Sequence, residues 1–335
     1  MVNSNHIPLS SSELGNLWMA YQELTMKLRF IEYFLEHAED QEAHQLLQDN
    51  YNSTTQIIAE ITNIFQQEGA VIPVGFTEND VHTGVPKLFD FSFDVMFLHL
   101  ISKVETSLNA LFSGMSYRLD VNQLFIQLTA NAQESNQAST QYLLKKGVLT
   151  RPPYVSMPTE VEFVREKKYM TGVNWFQKNR ALNTIEISLL HHAIETNLTG
   201  LQLMIGFAQV ANDNEVKKYF TRGMDLSLKV ETKLGEFLRN EYIEPPASPA
   251  GKATNSTVSP FSDKIMMYIT NLLSSFGLGS NALGGAFSLR SDLPFTMTRI
   301  GKDIYDFAKE GGKIMVKNGW MEEPPQVEDR SKLTE

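Results

Sequence analysis

The apolar residues of this chain recur at steps of three and four over long stretches, and nowhere alternate with the period of two that marks a half-buried strand. From about Ser11 to Glu39, Leu14, Leu17, Tyr21, Leu24, Leu28, Ile31 and Leu35 define one face of a helix. Ser10 and Glu13 have the spacing of a capping box, in which each side chain satisfies an orphan backbone N–H. A second helix is predicted from about Gln41 to Glu68, with Ile57, Ile61, Ile64 and Phe65 on its stripe. A third, about Leu88 to Met115, is apolar on most sides, as a heavily buried element is. A fourth starts near Asp120 and stops at Gly147, a residue that accepts the left-handed C-terminal conformation, with Pro152 barring continuation.

The plan then repeats. A shift of 173 positions lays Ser10 and Glu13 on Asn183 and Glu186, Ala38, Asp40 and Glu42 on Ala211, Asp213 and Glu215, and Glu68 on Glu241. A shift of 172 lays Phe89 on Phe261, Asn109-Ala110-Leu111 on Asn281-Ala282-Leu283, and Ser116, Arg118 and Asp120 on Ser288, Arg290 and Asp292. Gly147 and Pro152-Pro153 fall on Gly319 and Pro324-Pro325. Chance identities would not stay in phase, so the chain reads as an internal duplication. Within a unit, helices one and two and helices three and four are joined by a few residues and must be antiparallel. Helices two and three are separated by roughly 17 residues, which can span up to roughly 55 Å. A helix of about 28 residues is roughly 42 Å long. The connection can therefore run the length of the bundle and make helices two and three parallel, the single long crossover of a ferritin-like bundle. The expected fold is all-α: two tandem ferritin-like four-helix bundles, residues 1–153 and 182–335, joined by an aromatic and basic linker, 154–181. That linker holds Phe163, Tyr169, Trp175 and Phe176 and is expected to pack along a bundle surface.

Composition narrows the chemistry. The 335 residues include no cysteine, which removes disulfides, thiolate metal sites and a Cys nucleophile. The net charge of −10 argues against a general nucleic-acid binder, which needs a basic footprint. Arg165, Lys167, Lys168, Lys178 and Arg180 lie beside aromatic rings, as in a single-strand binder, but read better as charges on a linker that offset the acidic remainder. The first residues lack a basic region followed by an apolar run, so no secretory signal is expected and a cytoplasmic location is. Ile265 to Leu289 carries no charge and is long enough for a bilayer, yet its first-unit counterpart carries Asp94, His99, Lys103 and Glu105, so a membrane span is not expected.

The second unit contains Gly206-Phe207-Ala208-Gln209-Val210, Phe261-Ser262-Asp263-Lys264-Ile265-Met266-Met267, Ser288-Leu289-Arg290-Ser291-Asp292 and Asn318-Gly319-Trp320-Met321-Glu322-Glu323-Pro324-Pro325. In these it resembles the duplicated family called domain of unknown function 3231, found in spore-forming relatives of Bacillus and distantly similar to spore coat protein F. The first unit is looser, with Lys145-Lys146-Gly147-Val148-Leu149 in place of the Gly-Trp ending. The resemblance implies paired bundles, a spore-former as source and spore association, and implies no activity.

Ferritin-like carboxylate enzymes set a Glu on each of two helices and Glu-x-x-His on the other two. The first unit has Glu23, Glu60, Glu105 and Glu134, one per helix, but Asn63 and Gln137 stand where the histidines belong, and the set reads as a solvated flank. In the second unit the four positions are Thr196, Lys233, Gly277 and Asp306. His191, His192 and Glu195 are the remaining metal candidates, since His191 and Glu195 share a helix face, but polar bundle surface or hydrogen-bonded histidines is the stronger reading. Gly277, Gly279 and Ala282 match a dinucleotide string but fall inside a helix, not between a strand and a helix. No residue is therefore assigned as catalytic, cofactor-binding or metal-ligating, and no cofactor is expected. The expected function is a non-enzymatic structural or assembly protein with itself or other spore proteins as partners. The alternatives are a metal or redox bundle with unorthodox ligands, and a carrier of an apolar ligand between the bundles near Phe91, Phe93, Met96 and Phe97. Trp320 with Pro324-Pro325 is expected to fold back over its bundle's end.

Overall fold

The computed structural model describes residues 7–172, 179–247, 251–331 and 333. Among them lie eight α-helices: α1 (Ser11–His37), α2 (Gln41–Gln67), α3 (Phe93–Gly114), α4 (Leu119–Lys145), α5 (Thr184–Val210), α6 (Asn214–Arg239), α7 (Asp263–Phe287) and α8 (Asp292–Lys317). The matched residues of the repeat act alike in both copies. Ser10 and Asn183 cap α1 and α5 in capping boxes with Glu13 and Glu186. Asp40 and Asp213 cap α2 and α6, each accepting two backbone N–H groups. Arg118 joins Glu68 at 2.5 Å and Asp120 at 2.8 Å, and Arg290 joins Glu241 at 3.2 Å and Asp292 at 2.9 Å. Gly147 and Gly319 both end a fourth helix at φ +68°, a left-handed value that glycine adopts without the steric cost other residues carry.

In the first bundle α1 packs on α2 and α3, and α4 packs on the same two. Ser12 at the start of α1 reaches the Met115 carbonyl at the end of α3, and Lys145 at the end of α4 reaches Glu42 at the start of α2, so these neighbours are antiparallel. Helices α2 and α3 are therefore parallel diagonals joined by the long crossover, as the loop length predicts. The second bundle has the same ring of α5, α6, α8 and α7.

The crossovers do more than connect. His82 N–H donates to the Pro260 carbonyl at 2.8 Å, and Thr254 N–H to the Leu88 carbonyl at 2.8 Å. Ser262 N–H donates to Asp80 at 3.0 Å, and Asp90 N–H to Lys252 at 2.8 Å. Isolated antiparallel bridges join Val81 to Phe261 and Phe89 to Ala253. Under the 172-residue shift each member of these pairs maps onto the other: 82 onto 254 and 88 onto 260, 80 onto 252 and 90 onto 262. The two bundles thus meet about a pseudo-two-fold axis, the geometry of an isologous dimer in one chain. This pairing also corrects the predicted start of the third helix. Residues 88–90 are extended because their backbone groups belong to the partner crossover, and Ser92, at φ +67°, turns the chain into α3 at Phe93.

Around the axis a shared core spans both bundles. The Phe30 ring centre lies 4.9 Å from Phe97 and 4.2 Å from Phe261, and Phe89 stacks on Phe93 at 3.9 Å. The Tyr33 hydroxyl accepts the Leu88 N–H at 2.6 Å, so a backbone donor in this apolar layer is satisfied. Full burial of each such ring is worth about 1.5–3 kcal/mol.

Two expectations change. Tyr154 and Phe163 of the linker are largely exposed rather than packed on a bundle, whereas its end is tied to the second bundle: the Met170 carbonyl accepts the Ser291 N–H, Gly172 donates to Ser291, and Arg180 lies 4.0 Å from the Tyr169 ring and pairs with Glu186. Trp175, Phe176 and Lys178 lie outside the described residues. Trp320 does fold back, but onto the shared core, and the Glu322 carboxylate accepts the N–H groups of Val74 and Gly75 at 2.9 and 2.7 Å in the opposite crossover.

Because Phe30 touches rings from both bundles, Phe30→Ala is expected to lower the unfolding free energy by about 3–5 kcal/mol. Phe163→Ala should change it by less than about 0.5 kcal/mol. Urea unfolding followed by circular dichroism measures both.

Candidate functional site

The interiors of the two bundles differ at equivalent positions. In the first, Glu23 and Lys27 of α1 and Glu105 of α3 are 4%, 5% and 3% exposed. The i,i+4 spacing puts Glu23 and Lys27 on one face of α1, turned toward α3. Lys27 Nζ donates to both Glu105 oxygens at 2.9 Å. Glu23 Oε1 has no hydrogen-bond partner. Burial, reinforced by the negative Glu105 and only partly relieved by Lys27, pushes the Glu23 carboxyl up to about 8. Burial thus favours the neutral form of Glu23 beside the Lys27–Glu105 pair. This corrects the reading of the four acids as a solvated flank. Glu134 is exposed and Glu60 partly so, as that reading requires, but Glu23 and Glu105 are buried together. An ammonium sits between the helices where a carboxylate bundle would keep its cation.

In the second bundle the three positions are Thr196, Gly200 and Gly277. Two acids and a lysine have become one small hydroxyl and two residues without side chains. The volume they vacate is a cavity of about 110 Å³ lined by all three, with Asn281, Met204 and Phe307. The corresponding void beside Lys27 and Glu105 is about 20 Å³, room for a water. Two polar atoms at this cavity lack partners, Thr196 Oγ1 and Asn281 Oδ1. The sequence carried the signal for this cavity. Glu23 to Thr196 and Glu105 to Gly277 stand out in the repeat, but only as lost ligands; adding Lys27 to Gly200 turns three losses on one internal face into missing volume. Lys233 and Asp306, the other two positions, are exposed and paired with Glu236 at 3.3 Å and Lys302 at 2.7 Å.

His191, His192 and Glu195 do not converge. Glu195 leaves its own helix face to reach α3 of the first bundle, accepting from His99 Nε2 at 3.0 Å and Lys103 Nζ at 2.7 Å. Burial works against its charge, but these hydrogen bonds and the Lys103 ammonium outweigh it and hold the carboxyl at about 2. His191 is buried with Nε2 unpartnered, and burial lowers its pKa. His192 sets its ring against Phe276 at 6.4 Å. Among the described residues, no group of three or more His, Asp or Glu side chains is disposed to hold a metal ion. At the predicted ligand space between the bundles, Phe93 and Phe97 are fully buried in the shared core and Phe91 is exposed; the void left beside Met96, lined also by Leu198 and Thr199, is about 30 Å³, room for a water. Gly277 and Gly279 lie within α7, so the dinucleotide string has no strand before it. No helix of the described residues is long and apolar enough to cross a membrane.

Comparison with known proteins adds a family and no activity. The model of one family, described as a protein of unknown function (DUF3231), matches residues 1–161 and again 170–333. None of the curated proteins matches the chain. A crystal structure of a "putative spore coat protein" from Bacillus halodurans C-125 is similar at 18% identity and a TM-score of 0.42, over 45% of this chain and 98% of its own.

The buried triad makes two predictions. Lys27→Met leaves Glu105 buried without its partner and should cost about 3–5 kcal/mol, most of which Lys27→Met with Glu105→Leu should recover. Glu23 binds its proton more tightly folded than unfolded, so between its ordinary 4.5 and about 8 the unfolded state holds fewer protons and stability falls as pH rises. Denaturant midpoints across that range should drop in the wild type and flatten in Glu23→Gln. Glu195 has the opposite sign, and its contribution is lost only as pH falls from 4.5 toward 2.

Proposed function

Since the chain belongs to the DUF3231 family, whose function is unknown, we propose that it is a non-catalytic assembly unit, a structural protein of a spore-forming bacterium with the spore as its setting. The observation that carries this reading is a repeated apolar patch. Leu111, Met115 and Tyr117, at the end of α3 and the turn after it, are exposed, and so are their 172-residue counterparts Leu283, Phe287 and Leu289 at the end of α7. Scattered exposed apolar residues are ordinary. The same three positions left bare in both copies are not scattered, because each copy had its own chance to replace them with polar residues.

A pseudo-two-fold axis relates the two patches. If each joins its like on another copy, the joint is isologous and self-complementary. One joint leaves the second patch of each chain open, so growth continues instead of closing at a dimer. The non-catalytic half of the reading draws support from Lys27. It occupies the space between the two buried acids and pairs with Glu105 in one bundle, and the acids have no counterpart in the other.

Sedimentation velocity over rising concentration tests the assembly. The wild type is expected to grow beyond the dimer, Tyr117→Ser to stop at the dimer, and Tyr117→Ser with Phe287→Ser to remain monomeric. A wild type that stays monomeric throughout would overturn the reading. Imaging of the tagged protein through sporulation tests its setting.

A further inference from the structure

We infer that the segment between the bundles is a processing site, cut by an endopeptidase that selects basic residues, and that the product is a two-chain molecule with the fold of the intact one. This inference does not rest on the assembly reading, since a monomer is cut as readily. Four observations carry it.

The first is how the segment is held. Thr150 Oγ1 donates to the Ala247 carbonyl at 3.0 Å, and the Ser291 N–H donates to the Met170 carbonyl at 3.1 Å. The chain is pinned at these two points and loose between them. Every residue from 154 to 168 is exposed. From 151 to 165 no backbone group bonds to the backbone of another described residue. An endopeptidase lays several residues of its substrate into its cleft as a strand, and burial and backbone bonding decide which stretch can comply. The single 3-10 turn at Lys167–Met170 has little to lose by unwinding.

The second is composition. A segment that had only to reach would be rich in glycine and serine. From 154 to 168 there is no glycine and one serine. Instead Tyr154, Val155, Met157, Val161, Phe163 and Val164 stand bare, Phe163 at 76% exposure. A run of exposed apolar side chains is a liability unless something takes it up. Here Val161, Phe163 and Val164 lead directly into Arg165, Lys167 and Lys168. Apolar residues ahead of a basic one suit a cleft with apolar subsites and an acidic specificity pocket.

The third is that basic residues elsewhere are poorer targets. Most of those described lie within helices. Lys87 and Lys252 sit in the paired crossovers, where the Lys87 carbonyl accepts from Thr254 Oγ1 and the Lys252 N–H donates to Asp90. Arg180 is held by Glu186, and Arg151 precedes a proline, a bond such enzymes do not cleave. The fourth is the consequence of a cut. Water adds across one peptide C–N bond, leaving a carboxylate on the first piece and an ammonium on the second. The tie of Met170 to Ser291 stays with the second bundle. The pieces remain joined by the reciprocal crossover pairing and the shared aromatic core, neither of which draws on residues 151–168.

The test uses limiting trypsin as the probe and the full-length chain. Trimming of the tail at Arg330 aside, mass spectrometry is expected to place the first cut after Arg165, Lys167 or Lys168. The two pieces should co-elute at the volume of the intact chain in gel filtration, with an unchanged circular dichroism spectrum. The triple variant Arg165→Gln, Lys167→Gln, Lys168→Gln should stay uncut under the same conditions. From the cells that make it natively, the wild type is expected as a pair of chains, the second beginning between residues 166 and 169, and the triple variant as one. A first cut at any other internal site, pieces that separate on the column, or a wild type recovered from those cells only as the intact chain would overturn the inference.

Discussion

The structure depends on the mutual pairing of the two crossovers. Each long connection leaves its own bundle's backbone groups unsatisfied, and each finds its donors and acceptors in the other copy: His82 with Pro260, Thr254 with Leu88, Asp90 with Lys252 and Ser262 with Asp80. Buried backbone polar groups must be paired. Here the pairing is reciprocal, so neither half can satisfy its crossover alone. The Phe30, Phe97 and Phe261 rings then pack at the place this pairing brings together. The seam is thus polar backbone inside an aromatic shell, and the position of every other helix follows from it.

With the seam fixing the outside of the bundles, their insides were free to diverge. The end clusters and caps stayed the same: Arg118 and Arg290 hold matched carboxylates, and Asp40 and Asp213 serve the helix starts that any such bundle has. The midsections did not. Around Lys27 the first bundle buries a charged group with its partner, an arrangement that defines geometry more than it adds stability. Around Gly200 the second bundle leaves a cavity of about 110 Å³.

Most of the fold was legible because helix period, caps and breakers are local signals. The eight helices, both capping boxes, the left-handed glycines and the long crossover follow from residues close together in the chain, and the duplication from those same local signals recurring in phase. What stayed hidden was non-local. Leu88 to Asp90 have a helical pattern and are extended because of residues some 170 positions away. Glu195 lies on one helical face with His191, yet its partners His99 and Lys103 come from the other bundle. The acids Glu23 and Glu105 look like surface residues, because the lysine that lets them stay buried is visible only once α1 and α3 face each other. The cavity was half legible, as a run of lost side chains whose meaning needed the packing.

Two identical chains meeting about a true axis would have to change both sides at once: every substitution at the Lys27 position would appear twice, giving two plugged barrels or two hollow ones. Covalent fusion lifts that constraint. One copy can remain a rigid, ion-filled strut while its twin loosens into a vessel, and the Glu322 clasp on the opposite crossover gives the molecule a direction that no symmetric pair has. Joining the halves thus allowed them to become different.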